Sequence, residues 1–380
     1  MEVAFFEPWY GGSHRAFLDA WCGRSRHSIT VYGLAARHWK WRQEASAWEL
    51  SRRVVDMSPP DLIACSDFVD LPRLMGFLPA SWASVPTFVY FHENQLTYRR
   101  TSEEANRGGL PEDFTHGFSN ILTAVRAETL VFNSEFHRAD FQRAADELLQ
   151  RLPRPNPRSV FAERMARALV IPPLPELAKV PLGPGPPAGA PLRVVFPHRL
   201  EFDKDPCGFL RAVKEASSRC EIEVVLLGGE LQQAAASIVD AAAAIAPLIV
   251  SSGRFERRDD YLAQLGSADI VASTAQHEFF GVAFAEAMAA GCTPLAPDRL
   301  NYPSLVAGTP KPAAALYGSP DDFVKQLLAH AQPARLEELR AQEHRKAIAD
   351  SIGPFDAAKG ALALDDAITQ SCPSPREPHP

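Results

Sequence analysis

The chain has 380 residues, of which 46% are hydrophobic and 22% charged, so it is globular and long enough for two cores of roughly 170 to 200 residues each. Its net charge is −7; residues 1–180 hold 21 Lys and Arg against 21 Asp and Glu, whereas residues 181–380 hold 18 against 25. This distribution excludes a strongly basic nucleic-acid-binding protein, although a neutral first half can still carry a local basic patch.

The spacing of the cysteines and the length of the apolar runs indicate in which cellular compartment the protein lies. The six cysteines are scattered and form no C-x-x-C pair, which suits reduced thiols better than a disulfide framework or a zinc site. Residues 1–7 lack the basic-then-apolar order of a signal peptide and are predicted to begin a strand. No apolar run approaches the roughly 18 to 20 residues that cross a bilayer. We therefore expect a cytoplasmic protein without membrane contact.

Short apolar runs alternate with helical periods along the first half. This alternation is typical of a doubly wound parallel sheet, so residues 1–172 are predicted to form a Rossmann-like domain. Helices are expected at residues 17–21 and 136–149, among others. Strands are predicted at residues 2–6, 28–32, 62–65, 87–91, 129–132 and 169–171.

A proline-rich segment separates the two halves. Residues 172–191 hold eight prolines and three glycines, so residues 173–191 are predicted to be a linker. A second Rossmann-like domain is predicted at 192–370 and a disordered tail at 371–380. Two such domains predict a cleft between them, with ligands at the carboxyl ends of strands. The second domain's predicted elements are strands at 192–196, 222–227, 248–251 and 269–273 and a helix at 231–245.

The clearest candidate site follows the predicted strand at 269–273. Glu278 and Glu286 lie eight residues apart, so one precedes a predicted helix and the other lies inside it. Between them, Gly281 lets the backbone approach a ligand, and the next amides form a helix N-terminus that can receive phosphate. The first carboxylate can accept hydrogen bonds from sugar hydroxyls, and the second can hold a ribose diol. The pattern favours a sugar-nucleotide site.

Two basic residues follow the first strand of the second half. Arg199 can contact a diphosphate in a bidentate way, and Lys204 can place a point charge on it. Neutralising a departing pyrophosphate is what glycosyl transfer requires without a metal ion. The alternative is a surface loop in which both cations pair with Glu201, Asp203 and Asp205.

Polar residues also follow two strands of the first half. A run of polar and titratable side chains at 91–98 is costly at a strand end unless it lines a site. Its His92 could hydrogen-bond a sugar or steer an acceptor hydroxyl, although an isolated histidine is more often structural. At residues 9–14, two glycines permit close approach of a ligand, and a tight turn capped by Ser13 explains them equally well.

One basic cluster interrupts the neutral first half. Residues 151–167 hold five arginines and one acid. The simpler interpretation is a solvated loop and helix face. The alternative is a set of phosphate contacts that position a nucleic acid without reading its sequence. Weaker candidate stretches lie at residues 114–120 and 298–303.

Several of these stretches together resemble a known enzyme family. The two glutamates around Phe280 and Gly281, with the two cations, resemble the donor site of retaining GT-B glycosyltransferases of the broad family 4. More narrowly, YGGSH at 10–14, FHENQL at 91–96, FNS at 132–134, PHRxExDKDP at 197–206 and RLxYP at 299–303 resemble the tRNA-queuosine α-mannosyltransferase family. The sequence departs from that pattern in its proline-arginine segment at 151–158 and in its linker.

The resemblance implies an α/β GT-B fold, in which two Rossmann-like doubly wound domains face each other across a cleft. It implies transfer of mannose from GDP-mannose to the cyclopentenediol of queuosine in tRNA, with retention by front-side attack. GDP-mannose is then a donor substrate, and neither a cofactor nor a metal ion is expected. The expected partners are a nucleotide sugar and a tRNA that carries queuosine.

The resemblance also implies residue roles. His92 lies beside the sugar, Glu278 contacts its hydroxyls, and the cations stabilise the departing diphosphate. The expected catalytic residues are His92, Glu278, Arg199 and Lys204. The expected donor contacts are Gly11, Gly12, Arg199, Lys204, Phe280, Gly281, Val282 and Glu286, the last of which holds the ribose. The expected acceptor contacts are Tyr10, His14, Asn94, Gln95, Tyr98, His116, Asn120, Arg151, Arg154 and Arg158.

Other functions stay compatible with these residues. A nucleotide-sugar epimerase or a phosphorylase could use the same two-domain arrangement, and free epimerised donor would favour the epimerase. A glycosyltransferase could use another nucleotide sugar on a small-molecule or lipid acceptor. A non-catalytic tRNA- or nucleotide-sugar-binding protein would bind donor without turnover, but the intact set of two cations and two glutamates weighs against it.

Overall fold

The computed structural model describes residues 1–98 and 115–372. The chain forms two compact units: Met1–Pro175 with Ala357–Pro380, and Glu176–Asp356. Each unit contains a six-stranded parallel sheet. No helix in the described part of the chain is long and apolar enough to cross a membrane.

The first sheet has the strand order β2-β1-β3-β4-β5-β6. All six strands predicted in the first half are confirmed, and β1 and β2 extend beyond their predicted ends. Every residue of β3 and β4 is buried, as expected for strands that are covered on both faces. The strands are β1 Glu2–Tyr10, β2 Ser28–Ala35, β3 Leu62–Ser66, β4 Thr87–Phe91, β5 Thr129–Phe132 and β6 Leu169–Val170.

Two hydrophobic cores cover the two faces of this sheet. Successive side chains of a strand point to opposite faces, so Phe5 packs in one core with Trp21 and Phe88, while Phe6 packs in the other with Phe132. The helices of this unit are α1 Gly12–Cys22, α2 Trp39–Ser51, α3 Leu71–Phe77, α4 Thr115–Arg126, α5 Glu135–Arg151, α6 Arg158–Ala166 and α15 Ala357–Ser371.

The second sheet has the order β12-β11-β10-β7-β8-β9. Its four predicted strands are confirmed. The structure adds β11, which contains two prolines, and β12, which has only two residues, so neither has the usual pattern of a strand. The strands are β7 Leu192–Phe196, β8 Ile222–Leu227, β9 Ile249–Gly253, β10 Ile270–Ala272, β11 Thr293–Pro297 and β12 Leu316–Tyr317.

Eight helices accompany the second sheet in the described residues. The predicted helix at 231–245 is shorter, because the chain forms a 3-10 turn at Leu231–Gln233 and is extended at Ala235 before α8 begins. The helices are α7 Pro206–Ser217, α8 Ala236–Ala243, α9 Arg258–Gly266, α10 Val282–Ala289, α11 Tyr302–Val306, α12 Pro320–His330, α13 Pro333–Arg340 and α14 Gln342–Ser351.

The predicted linker at 173–191 does not form a separate segment. The first unit ends at residue 175, and the rest of the segment belongs to the second unit. Leu177 and Val180 are buried in the core of that unit, and the amide of Gly183 donates to the carbonyl of Ala290 (3.0 Å). The apolar side chains between the prolines therefore anchor the segment to the unit that follows it.

The guanidinium of Arg345 also holds the proline-rich segment in place by hydrogen bonds. Arg345 is fully buried and donates to the carbonyls of Gly183 (3.0 Å), Gly266 (3.0 Å), Ala268 (2.9 Å) and Ala290 (3.1 Å). Gly183 and Gly266 approach so closely that a Cβ on Gly183 would lie 2.2 Å from the Cα of Gly266. One side chain thus joins the proline-rich segment to the carboxyl ends of α9 and α10.

The C-terminal helix α15 belongs to the first unit, so the predicted second domain at 192–370 is too long. Asp365 of α15 accepts hydrogen bonds from Trp21 Nε1 (2.9 Å), Ser25 Oγ (2.7 Å) and the amide of Arg26 (2.8 Å). Its apolar face completes the core that contains Phe5. Of the predicted disordered tail at 371–380, only residues 371 and 372 lie in the described part, and Ser371 ends α15.

Candidate active site

Two loops of the second unit are joined by hydrogen bonds at the carboxyl ends of neighbouring strands β7 and β10. The hydroxyl of Thr274 donates to the carbonyl of Asp205 (2.8 Å). The amides of Gln276 and His277 donate to the carbonyl of Asp203 (2.8 and 3.1 Å). The first two stretches singled out from the sequence therefore meet at one edge of the sheet, where ligands bind in open α/β folds.

Lys204 lies at the centre of this junction. Its Nζ donates to the carbonyl of His277 (2.7 Å) and to Glu278 Oε2 (3.1 Å), and it lies 3.0 Å from Asp203 Oδ2. Burial alone would lower the pKa of Lys204, but the two carboxylates outweigh it and raise the pKa. Lys204 is therefore a buried, fixed cation.

Glu278 is the ionised partner of this cation. Burial would raise its pKa, but the charge of Lys204 outweighs burial and lowers it. His198, which also faces this pair, is buried, and burial followed by the charge of Lys204 lowers its pKa to about 4. Its Nε2 has no hydrogen-bond partner among the described residues. The site therefore contains a carboxylate, an ammonium group and a neutral imidazole.

The aromatic-glycine turn requires its glycine. Gly281 has φ 98° and ψ 51°, in the left-handed region, and directly precedes Val282, the first residue of α10. Asn301 Nδ2 donates to the carbonyl of Phe280 (3.0 Å), and this hydrogen bond holds the turn in place. No side chain caps the N-terminus of α10, so its first amides are available to a phosphate.

The weaker stretch at 298–303 supports these loops. Arg299 Nη2 donates to the carbonyl of Ala275 (3.1 Å), and the hydroxyls of Tyr302 and Ser273 lie 2.6 Å apart. These contacts tie the loop after β11 to the loop after β10. The stretch at 298–303 therefore holds in place the loop after β10, which carries residues of the candidate site.

Glu286 lies in α10 and already has two partners. Its Oε1 accepts a short hydrogen bond from Arg258 Nη2, and its Oε2 accepts one from the hydroxyl of Tyr261 (3.2 Å). Arg258 and Tyr261 lie on α9, so the carboxylate is held between two helices. Glu286 is buried, whereas about half of the Arg258 side chain is exposed. A diol that approaches Glu286 would therefore also meet a guanidinium.

Arg199 and Lys204 have different environments. Arg199 is more than half exposed and pairs with Glu201 (Nη1–Oε2 3.0 Å), which is the pairing that the surface-loop alternative predicted for it. Two aspartates, Asp203 and Asp205, flank Lys204 in an Asp-x-Asp sequence. Here Asp203 pairs with Lys204, and Asp205 Oδ1 accepts the amide of Gly208 (2.9 Å) as the N-cap of α7.

The first unit holds a second buried polar cluster, at the carboxyl ends of β1, β3 and β4. Glu7 is fully buried, and its Oε2 lies 3.1 Å from His14 Nδ1. Burial would lower the pKa of His14, but the charge and hydrogen bond of Glu7 raise it to about 9. His14 is therefore an imidazolium at neutral pH.

The ring of His92 lies against this imidazolium, with ring centroids 4.1 Å apart and ring planes inclined by 32°. Burial, reinforced by the rings of His14 and His137, holds the pKa of His92 well below its usual range. Its backbone amide donates to Asp67 Oδ1 (2.7 Å), and its carbonyl accepts from Asn133 Nδ2 (2.8 Å). The Nε2 of His92 is buried and has no hydrogen-bond partner in the described residues. His92 thus carries a neutral imidazole, and the hydrogen bonds of its backbone amide and carbonyl fix the position of the residue.

The turn at residues 10–14 does not use Ser13 as its cap. Helix α1 begins at Gly12, and the N-cap position is Gly11, which makes no side-chain hydrogen bond. A Cβ on Gly11 would lie 2.6 Å from the Cβ of Ala36, so close packing against the loop after β2 requires this glycine. The hydroxyl of Tyr10 donates to Asp19. The capped-turn alternative is therefore wrong, and the glycine is needed for backbone packing.

Two predicted acceptor contacts hold the loop after β4. Asn94 is buried, and its Oδ1 accepts from the amides of Leu96 (3.2 Å) and Thr97 (3.1 Å). Asn120 Oδ1 accepts from the amide of Gln95 (2.8 Å). In this structure, both asparagines therefore determine the course of the loop, and Gln95 is positioned by it.

Another predicted acceptor residue, His116, lies near α2. His116 is buried, with its Nδ1 3.6 Å from Glu44 Oε1 and its ring 5.9 Å from that of Trp39. Tyr98 is half-buried and is the last described residue before the segment 99–114. Residue 114, which begins one weaker candidate stretch, lies outside the described residues.

The predicted arginines surround the junction of α5 and α6. Arg158 forms a bidentate pair with Asp146 (2.7 and 3.2 Å). Arg151 and Arg154 are exposed and form no ion pair with a described residue. The structure thus leaves two of the three predicted arginines available on the surface of the first unit.

One group of side chains in the described residues has the composition of a metal site. Glu7, His14 and His92 each offer one ligand atom, and these atoms lie within 4.8 Å of one another. Within this group, Glu7 Oε2 and His14 Nδ1 already pair with each other at 3.1 Å.

Sequence reasoning missed five residues of these clusters. Glu7 had a signal, because it is a carboxylate inside an otherwise apolar strand. Asp67, which follows the buried β3, had a weaker signal of the same kind. His198 lay in a stretch already singled out. Arg258 and Tyr261 had none, because only the packing of α9 on α10 brings them to Glu286.

Comparison with protein families gives two matches along the chain. The model of the family described as tRNA-queuosine alpha-mannosyltransferase N-terminal matches residues 2–174. The model of glycosyl transferases group 1 matches residues 186–328. A curated relative, the tRNA-queuosine alpha-mannosyltransferase of Drosophila melanogaster, is 29% identical over 338 residues, which cover 86% of each chain.

Solved structures show the same fold. Sucrose-phosphate synthase from Thermosynechococcus elongatus has a TM-score of 0.67 at 14% identity and covers 97% of this chain and 98% of its own. Anabaena HepE in complex with UDP and glucose has a TM-score of 0.63 at 16% identity, with 97% and 100% covered. The galactosyltransferase WaaB has a TM-score of 0.62 at 14% identity, with 97% and 99% covered. The two Rossmann-like units therefore have the predicted GT-B fold.

Proposed function

We propose that this chain, a hexosyltransferase whose residues 2–174 match the tRNA-queuosine alpha-mannosyltransferase family model, transfers mannose from GDP-mannose to the cyclopentenediol of queuosine in tRNA. The observation that carries the donor half of this proposal is the buried pair of Lys204 and Glu278 beside the turn at Gly281. A fixed cation, a carboxylate and open helix amides are what a sugar diphosphate requires.

In the proposed reaction, Lys204 and Arg199 stabilise the charge that develops on the departing diphosphate. Glu278 accepts hydrogen bonds from mannose hydroxyls, and the neutral His92 contacts the transferred sugar. The acceptor hydroxyl attacks from the side of the leaving group, which keeps the anomeric configuration. The leaving phosphate oxygen takes the acceptor's proton, so no side chain needs to act as the nucleophile.

Glu286 is proposed to hold the ribose of the donor, with Arg258 beside it. We expect Glu286→Gln to raise the donor KM by about tenfold with little change in kcat, because a ribose contact is made equally in the ground and transition states. Steady-state kinetics over a range of GDP-mannose concentrations measure both constants. Asp240→Asn, an exposed change on α8 of the same unit, is the matched control. An unaltered donor KM in Glu286→Gln would contradict the assignment.

The acceptor is proposed to dock on the first unit. The acidic second half of the chain repels phosphate, whereas the first half is neutral and exposes Arg151 and Arg154. These arginines, with Arg158 once it leaves Asp146, can contact the RNA backbone without reading its sequence. A tRNA acceptor also accounts for the expected cytoplasmic location.

The test is a transfer assay with radiolabelled GDP-mannose. We expect label to enter tRNA that carries queuosine and not the same tRNA made without it. The tRNA without queuosine is the matched control, since both present the same backbone charge. Equal labelling of the two tRNAs would reject the acceptor, and label only in free sugar or in an epimerised donor would reject the transfer.

We infer that transfer needs no metal ion. Lys204 and Arg199 supply positive charge for the diphosphate, and both carboxylates of the Asp-x-Asp sequence at 203–205 are engaged by protein groups. The expected result is that the transfer rate is unchanged in excess EDTA. The same assay with added Mg²⁺ or Mn²⁺ provides the control. Complete loss of activity in EDTA, restored by either ion, would overturn this part of the mechanism.

A further inference from the structure

Helix α2 of the first unit presents two exposed tryptophans on one face. Trp41 is 65% exposed and Trp48 is 53% exposed. They are seven residues apart, so they lie on the same side of the helix, about 10 Å apart along its axis. Aromatic side chains are enriched on surfaces that bind a partner.

Cations surround this pair. The guanidinium of Arg52, four residues after Trp48, lies 5.4 Å from the centre of its ring, and the ammonium group of Lys40 lies 5.6 Å from the ring of Trp39. Arg37 is exposed just before the helix. Arg37, Lys40 and Arg52 form no ion pair with a described residue. We call Trp41, Trp48 and these three cations the α2 face.

The acids of α2 do not neutralise this face, because they are already paired. Glu49 accepts from Arg42 (2.6 Å), which is largely buried, and Glu44 accepts from Arg73 (2.8 Å) on α3. The α2 face therefore combines aromatic rings with a net positive charge. That combination suits an anionic partner with flat rings, namely unpaired RNA bases.

Helix α2 begins beside one proposed acceptor residue. The ring of Trp39, its first residue, lies 5.9 Å from the ring of His116. At about 3.4 Å per stacked base, the spacing of Trp41 and Trp48 corresponds to roughly three nucleotides.

We propose that the α2 face binds the unpaired nucleotides of the anticodon loop that flank the modified base, with Trp41 and Trp48 stacking on bases and the cations contacting phosphates. This inference rests on the proposed function, which supplies the RNA. A protein partner or a second copy of the chain is a less suitable occupant, because three unpaired cations would have to be buried or matched.

The test compares Trp41→Ala and Trp48→Ala with the wild-type protein. We expect each change to weaken binding of a synthetic anticodon stem-loop carrying queuosine by about tenfold, which is within the range for loss of one base–aromatic stack. The KM for tRNA should rise in parallel. Trp48→Phe should keep most of the affinity, because a phenyl ring still stacks. Fluorescence anisotropy of the labelled stem-loop measures the affinity.

Two controls separate stacking from unfolding. Phe77→Ala removes another aromatic side chain of the first unit, 54% exposed on α3, and should leave stem-loop affinity unchanged. The affinity of every variant for GDP-mannose and its melting temperature should match the wild type. A tryptophan variant with lowered donor affinity and a lowered melting temperature would contradict a local role of the α2 face.

The outcomes distinguish this inference from the proposed function. Wild-type transfer to queuosine-tRNA with wild-type stem-loop affinity in the double variant Trp41→Ala/Trp48→Ala overturns the α2 face alone. A wild-type protein that neither binds nor labels the tRNA overturns both. A wild-type dimer that becomes a monomer in the double variant, measured by light scattering, identifies the α2 face as a contact between copies and overturns the RNA assignment.

Discussion

Replacing Lys204 with Met is expected to lower kcat by about 10²-fold or more, the usual loss for one charge contact made in the transition state. Lys204 is buried, and its ammonium group contacts three oxygens, which hold its positive charge at this site. Single-turnover rates with saturating GDP-mannose measure the effect on the chemical step. Arg199→Ala is expected to lower the same rate by a similar factor if Arg199 leaves Glu201 for the diphosphate.

Lys204→Met also removes two ion pairs, and Glu278 and Asp203 would remain buried without their cation. A loss of activity in this variant therefore needs a second variant for its interpretation. Lys204→Arg keeps the charge and should retain more activity than the Met variant. Lys214→Met removes an exposed lysine of α7 and should leave the rate unchanged. Near-normal rates in both Lys204→Met and Arg199→Ala would refute the diphosphate assignment.

Replacing Arg345 with Met is expected to destabilise the second unit by about 3 to 5 kcal/mol, because bonds from a charged donor contribute about 1.5 to 3 kcal/mol each and do not add fully. The guanidinium is fully buried and donates to four carbonyls from three segments of the chain. Within the second unit, the proline-rich segment should detach first, because it loses its hydrogen bond with Arg345. Amide hydrogen exchange in the second unit, with urea unfolding monitored separately for each unit, measures the change.

A neighbouring residue provides the control for Arg345. Lys346 is exposed and pairs with Asp350 on the same helix, so Lys346→Met should change the stability by less than about 0.5 kcal/mol. Amides of the first unit should keep their exchange rates in both variants. An Arg345→Met protein with wild-type exchange at Gly183 and Gly185 would show that the segment is held by its own apolar contacts.

The sheets could be predicted from the sequence, because buried parallel strands are continuous apolar runs. β3 and β4 are buried at every residue and were located nearly to their ends. β11 could not be found in this way, because Pro294 and Pro297 interrupt the apolar run that would indicate a strand. The Glu278 motif was found because a glycine turn and two spaced carboxylates form a local pattern.

The partners of these residues depend on packing, which a local pattern does not record. Arg258 and Tyr261 meet Glu286 only because α9 lies against α10. The sequence of α15 does not say which core the helix covers. Asp365 forms its bonds with Trp21, 344 residues away, so its unit could not be assigned from its neighbours in the sequence.

The return of α15 to the first unit has a consequence for biosynthesis. The first unit is interrupted by Glu176–Asp356, so it remains incomplete on the ribosome until that whole insertion has been made. At about 5 to 20 residues per second, translating the insertion takes roughly ten to forty seconds. Throughout this time, Trp21 and the rest of the core that α15 covers lack their last layer. The nascent N-terminal half thus exposes part of its hydrophobic core until α15 has been made.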